Sequence, residues 1–158
     1  MITKFLPKFK VLEVGSLTGL RNGHMLSQFK AEGCTTTDHP DFIENGLLVS
    51  LDAATGKVVP YKKGQMFVHY TEELNTIVDD PKYFAVPADE CPRCIALYVG
   101  DSYITNNVDA TVEGGFGKVD EDSKGVIQLQ ATAEGAQFIV KKSSLADGTV
   151  AYECTYCG

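Results

Sequence analysis

Glu44-Asn45-Gly46-Leu47-Leu48-Val49-Ser50-Leu51-Asp52-Ala53-Ala54-Thr55-Gly56-Lys57-Val58-Val59-Pro60-Tyr61 is the stretch on which the fold turns. Residues 46–51 are a compact apolar run of strand length. Residues 52–56 are turn chemistry: an Asp opens the turn, and Gly56 stands where a positive φ is needed. Residues 57–61 return, so the stretch predicts a β-hairpin. Lys62-Lys63-Gly64 turns the chain again, into a third strand with some alternation over 65–70.

Toward the C-terminus the same texture continues. Short strands are expected at 83–86, 94–99, 102–105, 110–113, 116–119, 125–130, 137–142 and 149–154. Turn signals separate them at Gly100-Asp101, Asn106-Asn107, Gly114-Gly115, 120–124, Glu134-Gly135 and Asp147-Gly148. Strands recurring every 8–12 residues or so, separated by turn chemistry, predict a mainly β fold, a small antiparallel β-barrel or sandwich. Thr71-Glu72-Glu73-Leu74 has the look of one capped helical turn, stopped at Asp79-Asp80-Pro81. Toward the N-terminus the pattern fades. Residues 1–41 mix Phe5, Leu6, Phe9, Val11, Leu12 and Val14 with Pro7, Gly15, Gly19 and Gly23, and 33–40 read as a loop. An extended N-terminal arm or irregular strap is therefore expected over 1–41, and the β domain over 42–158.

Hydrophobic residues are 44% of the 158, enough for a core without help from metals or disulfides. The formal net charge of −7 is the wrong sign for gripping nucleic acid through its phosphates, so no nucleic-acid partner is expected. Lys4, Lys8 and Lys10 read as a solvated end. No apolar run approaches the ~20 residues a membrane span needs, so no membrane partner is expected either. The start MITKFLPKFK lacks a signal-peptide h-region, and synthesis in a reducing host cytoplasm is the expectation.

The five cysteines are the sharpest chemical feature. Cys91-Pro92-Arg93-Cys94 and Cys154-Thr155-Tyr156-Cys157 are two C-x-x-C pairs, with the 59 residues 95–153 between them. Two thiolates at this spacing on a turn can face one ion, and two such turns supply the four sulfurs of one structural Zn²⁺. A closed four-sulfur site leaves no position for a substrate. Buried free thiols and a disulfide clamp are the alternatives. A redox dithiol wants its first cysteine at a helix N-terminus, whereas a strand follows Cys94. Cys34 reads as an unpaired bystander, unless it joins His39 at a metal.

The remaining candidates point away from catalysis. His24, His39 and His69 show no metal-binding spacing, and His69 alternates with Phe67 as a packed or half-exposed strand residue. The acids at Glu72-Glu73, Asp79-Asp80, Asp89-Glu90 and Asp120-Glu121-Asp122 read as solvated turns. The last group lacks the glycine and glutamate positions of an EF-hand. Gly114-Gly115-Phe116-Gly117 is not followed by G-K-[ST] or a helix, so it is a turn and not a phosphate loop.

The phrase Asn45-Gly46-Leu47-Leu48-Val49-Ser50-Leu51-Asp52, closed by Thr55-Gly56-Lys57-Val58-Val59-Pro60, resembles the hairpin that opens the small β-barrel of tailed-bacteriophage head decoration and auxiliary capsid (cement) proteins. Val99-Gly100-Asp101-Ser102-Tyr103-Ile104-Thr105-Asn106-Asn107 is similar to a later turn of the same proteins. The resemblance spans about a third of the chain, and the paired C-x-x-C turns depart from it. It implies a non-enzymatic virion protein on the outer capsid surface, whose partners are the major capsid protein and neighbouring copies of itself. Phe5, Leu6, Phe9, Val11 and Leu12 would then anchor the arm across a neighbour, since aromatic and aliphatic side chains dominate buried interfaces. Packing of the same five on their own barrel is the competing expectation. Other readings are a head-fibre or tail-associated β module, a zinc-stabilised cellular binding domain, and a thiol or hydrolytic enzyme.

Overall fold

A computed structural model describes residues 8–71, 82 and 84–158. Strands are numbered in chain order, and the hairpin at the heart of the sequence is present. β4 (Leu48–Asp52) pairs antiparallel with β5 (Lys57–Pro60). Asp52 Oδ1 accepts from the Ala54 amide at 3.0 Å, and the Gly56 amide donates to the Asp52 carbonyl at 2.8 Å. Gly56 takes the positive φ, 68°.

The hairpin belongs to a five-stranded sheet. Its order is β2 (Met25–Leu26), β8 (Cys94–Ala96), β6 (Phe67–His69), β4, β5. Leu48, Met66, Val68, Ile95 and Leu97 point to one side, into a core shared with a larger sheet. Val49, Phe67, Cys94 and Ala96 point to the other side, into a second core with Cys34, Ile43, Leu47, Val58 and Val86. Burial on both faces explains the unbroken apolar runs at 46–49 and 94–97, where a half-exposed strand would alternate.

The larger sheet has seven strands, in the order β1 (Leu12–Ser16), β9 (Ser102–Thr105), β14 (Val150–Tyr156), β13 (Phe138–Ser144), β11 (Phe116–Lys118), β12 (Ile127–Gln130), β10 (Val108–Asp109). Here the sequence does alternate: along β13, Phe138 and Val140 are buried while Ile139 and Lys141 are exposed. Tyr103, Cys154 and Val140 form one inward row in register. A two-stranded ribbon, β3 (Phe42–Ile43) with β7 (Val86–Pro87), lies against the outer core of the five-stranded sheet. The pairings are antiparallel, except for β10 with β12 and an isolated bridge from Ala31 to Val58, which are parallel. The fold is mainly β, with packed, sandwich-like sheets.

One sequence expectation gains detail and one needs correction. The arm or strap expected over 1–41 holds short regular elements in its described part. Residues 12–16 form the edge strand β1, 18–22 form the single helical turn α1 (Thr18–Asn22), and 25–26 form the edge strand β2. Tertiary pairing builds these elements: β1 gains its partners only from β9, far along the chain. The strand expected at 110–113 is instead the short β10, at 108–109. Asp109 Oδ1 accepts from the Thr111 amide at 3.1 Å, and this local turn bends the chain away. The helical turn expected at 71–74 lies, beyond Thr71, outside the described residues, as does the start of the 83–86 strand.

Candidate functional site

Polar side chains meet where the five-stranded sheet joins the seven-stranded one. His69 ends β6 and is fully buried. Its Nδ1 lies 2.8 Å from the Glu44 carbonyl oxygen, which can only accept, so the ring proton sits on Nδ1. Nε2 is then an acceptor, and the Thr71 hydroxyl donates to it at 2.9 Å. That same hydroxyl oxygen accepts from the Arg93 amide at 3.0 Å. Burial lowers the His69 pKa to about 4, partly opposed by the bond to Glu44, so the ring is neutral near pH 7.

From His69 the bonds run to the start of the chain. Asn45 holds Thr71 from both sides, accepting from its amide at 2.9 Å and donating to its carbonyl at 3.2 Å. The Asn45 carbonyl accepts from Asn107 Nδ2 at 2.9 Å. Thr105 Oγ1 accepts from the Asn107 amide at 3.0 Å and donates to the Val11 carbonyl at 2.7 Å. Asn106 Oδ1 accepts from the Val11 amide at 2.8 Å, and Glu44 Oε2 from the Lys10 amide at 2.5 Å. Residues 10–11, 44–46, 69–71 and 105–107 are thereby sewn into one seam. Gly46 lies within it at φ +87°, and a Cβ there would meet Thr105 Oγ1 at 2.5 Å. Satisfied buried networks of this kind hold one arrangement of the chain against others.

Asp101 makes a second buried polar joint. It accepts from the Thr18 amide and hydroxyl at 3.1 and 2.6 Å, and from the Tyr98 amide at 3.0 Å. This satisfies an amide at the start of α1 that has no partner within the helix.

The cysteines fall into separate places. Cys94 sits in the outer core beside Cys34, and Cys154 in the core between the sheets, beside Tyr103. Cys91 and Cys157 are exposed. Cys154 lies within β14, and a strand sends residues three apart to opposite faces. Burial pushes the thiols of Cys34 and Cys154 up to about 12 and that of Cys94 higher still, so these three are inert at neutral pH. All five cysteines are free, and among the described residues no group of three or more His, Cys, Asp or Glu side chains is placed to hold a metal.

Of the five arm residues, Phe5 and Leu6 lie outside the described residues. Phe9, Val11 and Leu12 are buried against their own chain. Phe9 packs on His39 and Phe42, with ring centroids 4.6 and 5.2 Å away. Val11 joins Leu145 and Ala151 in a small core on the outer side of the seven-stranded sheet.

Beyond that small core, the outward side of the curled seven-stranded sheet carries rows of side chains in register. Ser102, Thr155, Ile139 and Phe116 form one row across β9, β14, β13 and β11, in register, with Ile139 45% exposed. Ile104, Glu153 and Lys141 form the next row, the last two directly opposite each other.

Sequence reasoning missed the seam. Its members are ordinary strand and turn residues, and nothing local indicates that 11, 45, 69 and 107 converge. The one available signal was His69 beside Val68 and Phe67, a polar residue inside an apolar run. No helix among the described residues is long and apolar enough to cross a membrane. Comparison with protein-family models, with curated proteins and with solved structures returned no match.

Proposed function

We propose that this chain is a non-enzymatic structural protein of a viral particle, which docks on the outer surface of the capsid shell and reinforces it. One observation carries the reading. The two stretches that resemble decoration proteins, 45–60 and 99–107, interlock in the seam: Asn107 donates to the Asn45 carbonyl, and Gly46 packs on Thr105 and Asn107. Residues alike in two separate phrases thus do one structural job together, which a chance likeness of turn motifs does not require. The docking face in this reading is the Ser102–Thr155–Ile139–Phe116 row. Sheet hydrogen bonds hold it rigid, so little ordering entropy is lost on binding. The partners are the major capsid protein and neighbouring copies of the chain, and many weak contacts on one shell add through avidity. The experiment is quantitative mass spectrometry of purified particles: many copies per particle in fixed ratio to the shell protein support the reading. A few copies per particle point to a fibre or tail part, and none overturns it.

A structural zinc on Cys91, Cys94, Cys154 and Cys157 is a separate proposal that rests on spacing alone. Cys94 and Cys154 lie in different cores, and that arrangement does not support it. Metal analysis of the purified protein is the test: one zinc per chain supports the site, and metal-free folded protein removes it.

A further inference from the structure

Away from the seam, a cleft of about 370 Å³ opens where the 33–37 loop faces the β10–β12 edge of the seven-stranded sheet. Small-molecule sites commonly enclose about 300–1,000 Å³. We propose that this cleft is a binding site for an acidic sugar, a ring of hydroxyls that carries one carboxylate. The inference does not depend on what the protein docks to.

Three elements bring polar groups together here. Asp109 and Gln128 are direct partners in the parallel pairing of β10 with β12, so they stand side by side on one face. Thr35 and Thr37 come from the loop, and Lys124 from the turn before β12. Leu47 and Val126 add apolar wall at the border of the outer core. Among the described residues, the side chains of Thr35, Thr37, Lys124 and Gln128 find no hydrogen-bond or ion-pair partner. Asp109 Oδ1 is fixed by the Thr111 amide at 3.1 Å, which orients the carboxylate and leaves Oδ2 for a ligand.

Lys124 sets this cleft apart. Its backbone stands at φ 53°, ψ 37°, and among the described residues it is the one residue besides glycine with a positive φ. Side chains with a Cβ rarely adopt that conformation. The turn has no need of one: Lys124 ends the short 3-10 turn Glu121–Ser123, a place that glycine fills with less strain. The backbone on either side is clamped. Asp120 and Ser123 close a capping box, and the Leu48 amide donates to the Gly125 carbonyl at 2.8 Å. Strain kept at a clamped position beside a cleft points to a task for the side chain itself.

The charges define the ligand class. An ammonium alone suits any small anion, but Asp109 lies in the same cleft and repels a bare phosphate or sulfate. Among the described residues no ion pair joins Lys124 to Asp109, so both charges face the cleft uncancelled. A neutral sugar leaves the lysine unmatched. A sugar acid answers both groups. Its carboxylate accepts from Lys124, one hydroxyl donates to Asp109 Oδ2, and the others bond with Thr35, Thr37 and Gln128.

The test uses the full chain, isotope-labelled for NMR and titrated in turn with glucuronate, galacturonate and N-acetylneuraminate. At least one should shift the backbone amides of 33–37, 109 and 124–128 with a Kd of about 10 mM or tighter, and glucose and phosphate should bind at least about tenfold more weakly. Lys124→Gly is the decisive variant, because it relieves the strained backbone instead of disturbing it. In urea it should be as stable as the wild type or more so. It should bind the sugar acid at least about tenfold more weakly. No shifts with any of the three acids, binding undiminished in Lys124→Gly, or glucose or phosphate bound as tightly as the sugar acid overturns the proposal.

Discussion

Replacing Gly46 by alanine tests the seam as a physical object. Two costs are added at this position. The backbone stands at φ +87°, a left-handed conformation that costs a residue with a Cβ about 1–2 kcal/mol. The new methyl would also lie 2.5 Å from Thr105 Oγ1 and 2.9 Å from Asn107 Cβ. Both neighbours are pinned, Thr105 to the Val11 carbonyl and Asn107 to the Asn45 carbonyl, so neither swings away freely. Overpacking in such a place costs about 1–3 kcal/mol. The expected loss for Gly46→Ala is therefore about 2–5 kcal/mol. Gly56→Ala supplies the control, because Gly56 has a similar φ of +68° but nothing within 4 Å of its added Cβ. Only the conformational cost of about 1–2 kcal/mol applies there. Urea denaturation of the two variants and the wild type reads both numbers, provided the m-values agree. The reasoning is refuted if the two substitutions cost the same, since the contact with Thr105 and Asn107 would then count for nothing.

Other consequences are direct. Thr105→Val keeps the shape but strands the Val11 carbonyl and the Asn107 amide. At about 1–3 kcal/mol for each orphaned buried group, calorimetry should show a clear drop in melting temperature. Tyr103→Phe should act the other way. The Tyr103 hydroxyl is buried with no hydrogen-bond partner among the described residues, so removing it should leave stability unchanged or raise it by up to about 1 kcal/mol, a rise of roughly 2–4 °C. A fall of similar size would mean that the hydroxyl has a partner. In the native protein, a thiol reagent at neutral pH should modify Cys91 and Cys157 quickly and leave Cys34, Cys94 and Cys154 until unfolding; peptide mapping distinguishes this from uniform labelling.

The fold was legible where the code is local or periodic. The 44–61 hairpin announced itself through Asp52 and Gly56, and both play the expected parts. The strand expected at 137–142 is present as β13. Strands whose existence depends on distant partners were not legible. Leu12-Glu13-Val14-Gly15-Ser16 carries little β character of its own and becomes β1 because β9 offers a free edge. At the second cysteine pair C-x-x-C suggests a turn, whereas Cys154 lies within β14, which continues to Tyr156. The seam was hidden for the same reason as β1. A histidine's role is set by what faces it, and Glu44, Thr71 and Cys94 reach His69 only once three strands are in register.

The central claim is that a rigid, outward row on the seven-stranded sheet docks on a capsid shell. Hydroxyl-radical footprinting of the protein, free and in purified particles, tests it most directly. Ile139 and Phe116 should be oxidised in the free protein and shielded on the particle, while Val150, 55% exposed and at the opposite end of β14 from Thr155, stays reactive in both. Equal labelling of Ile139 and Phe116 in the two states, with the protein present on the particle, would contradict the claim.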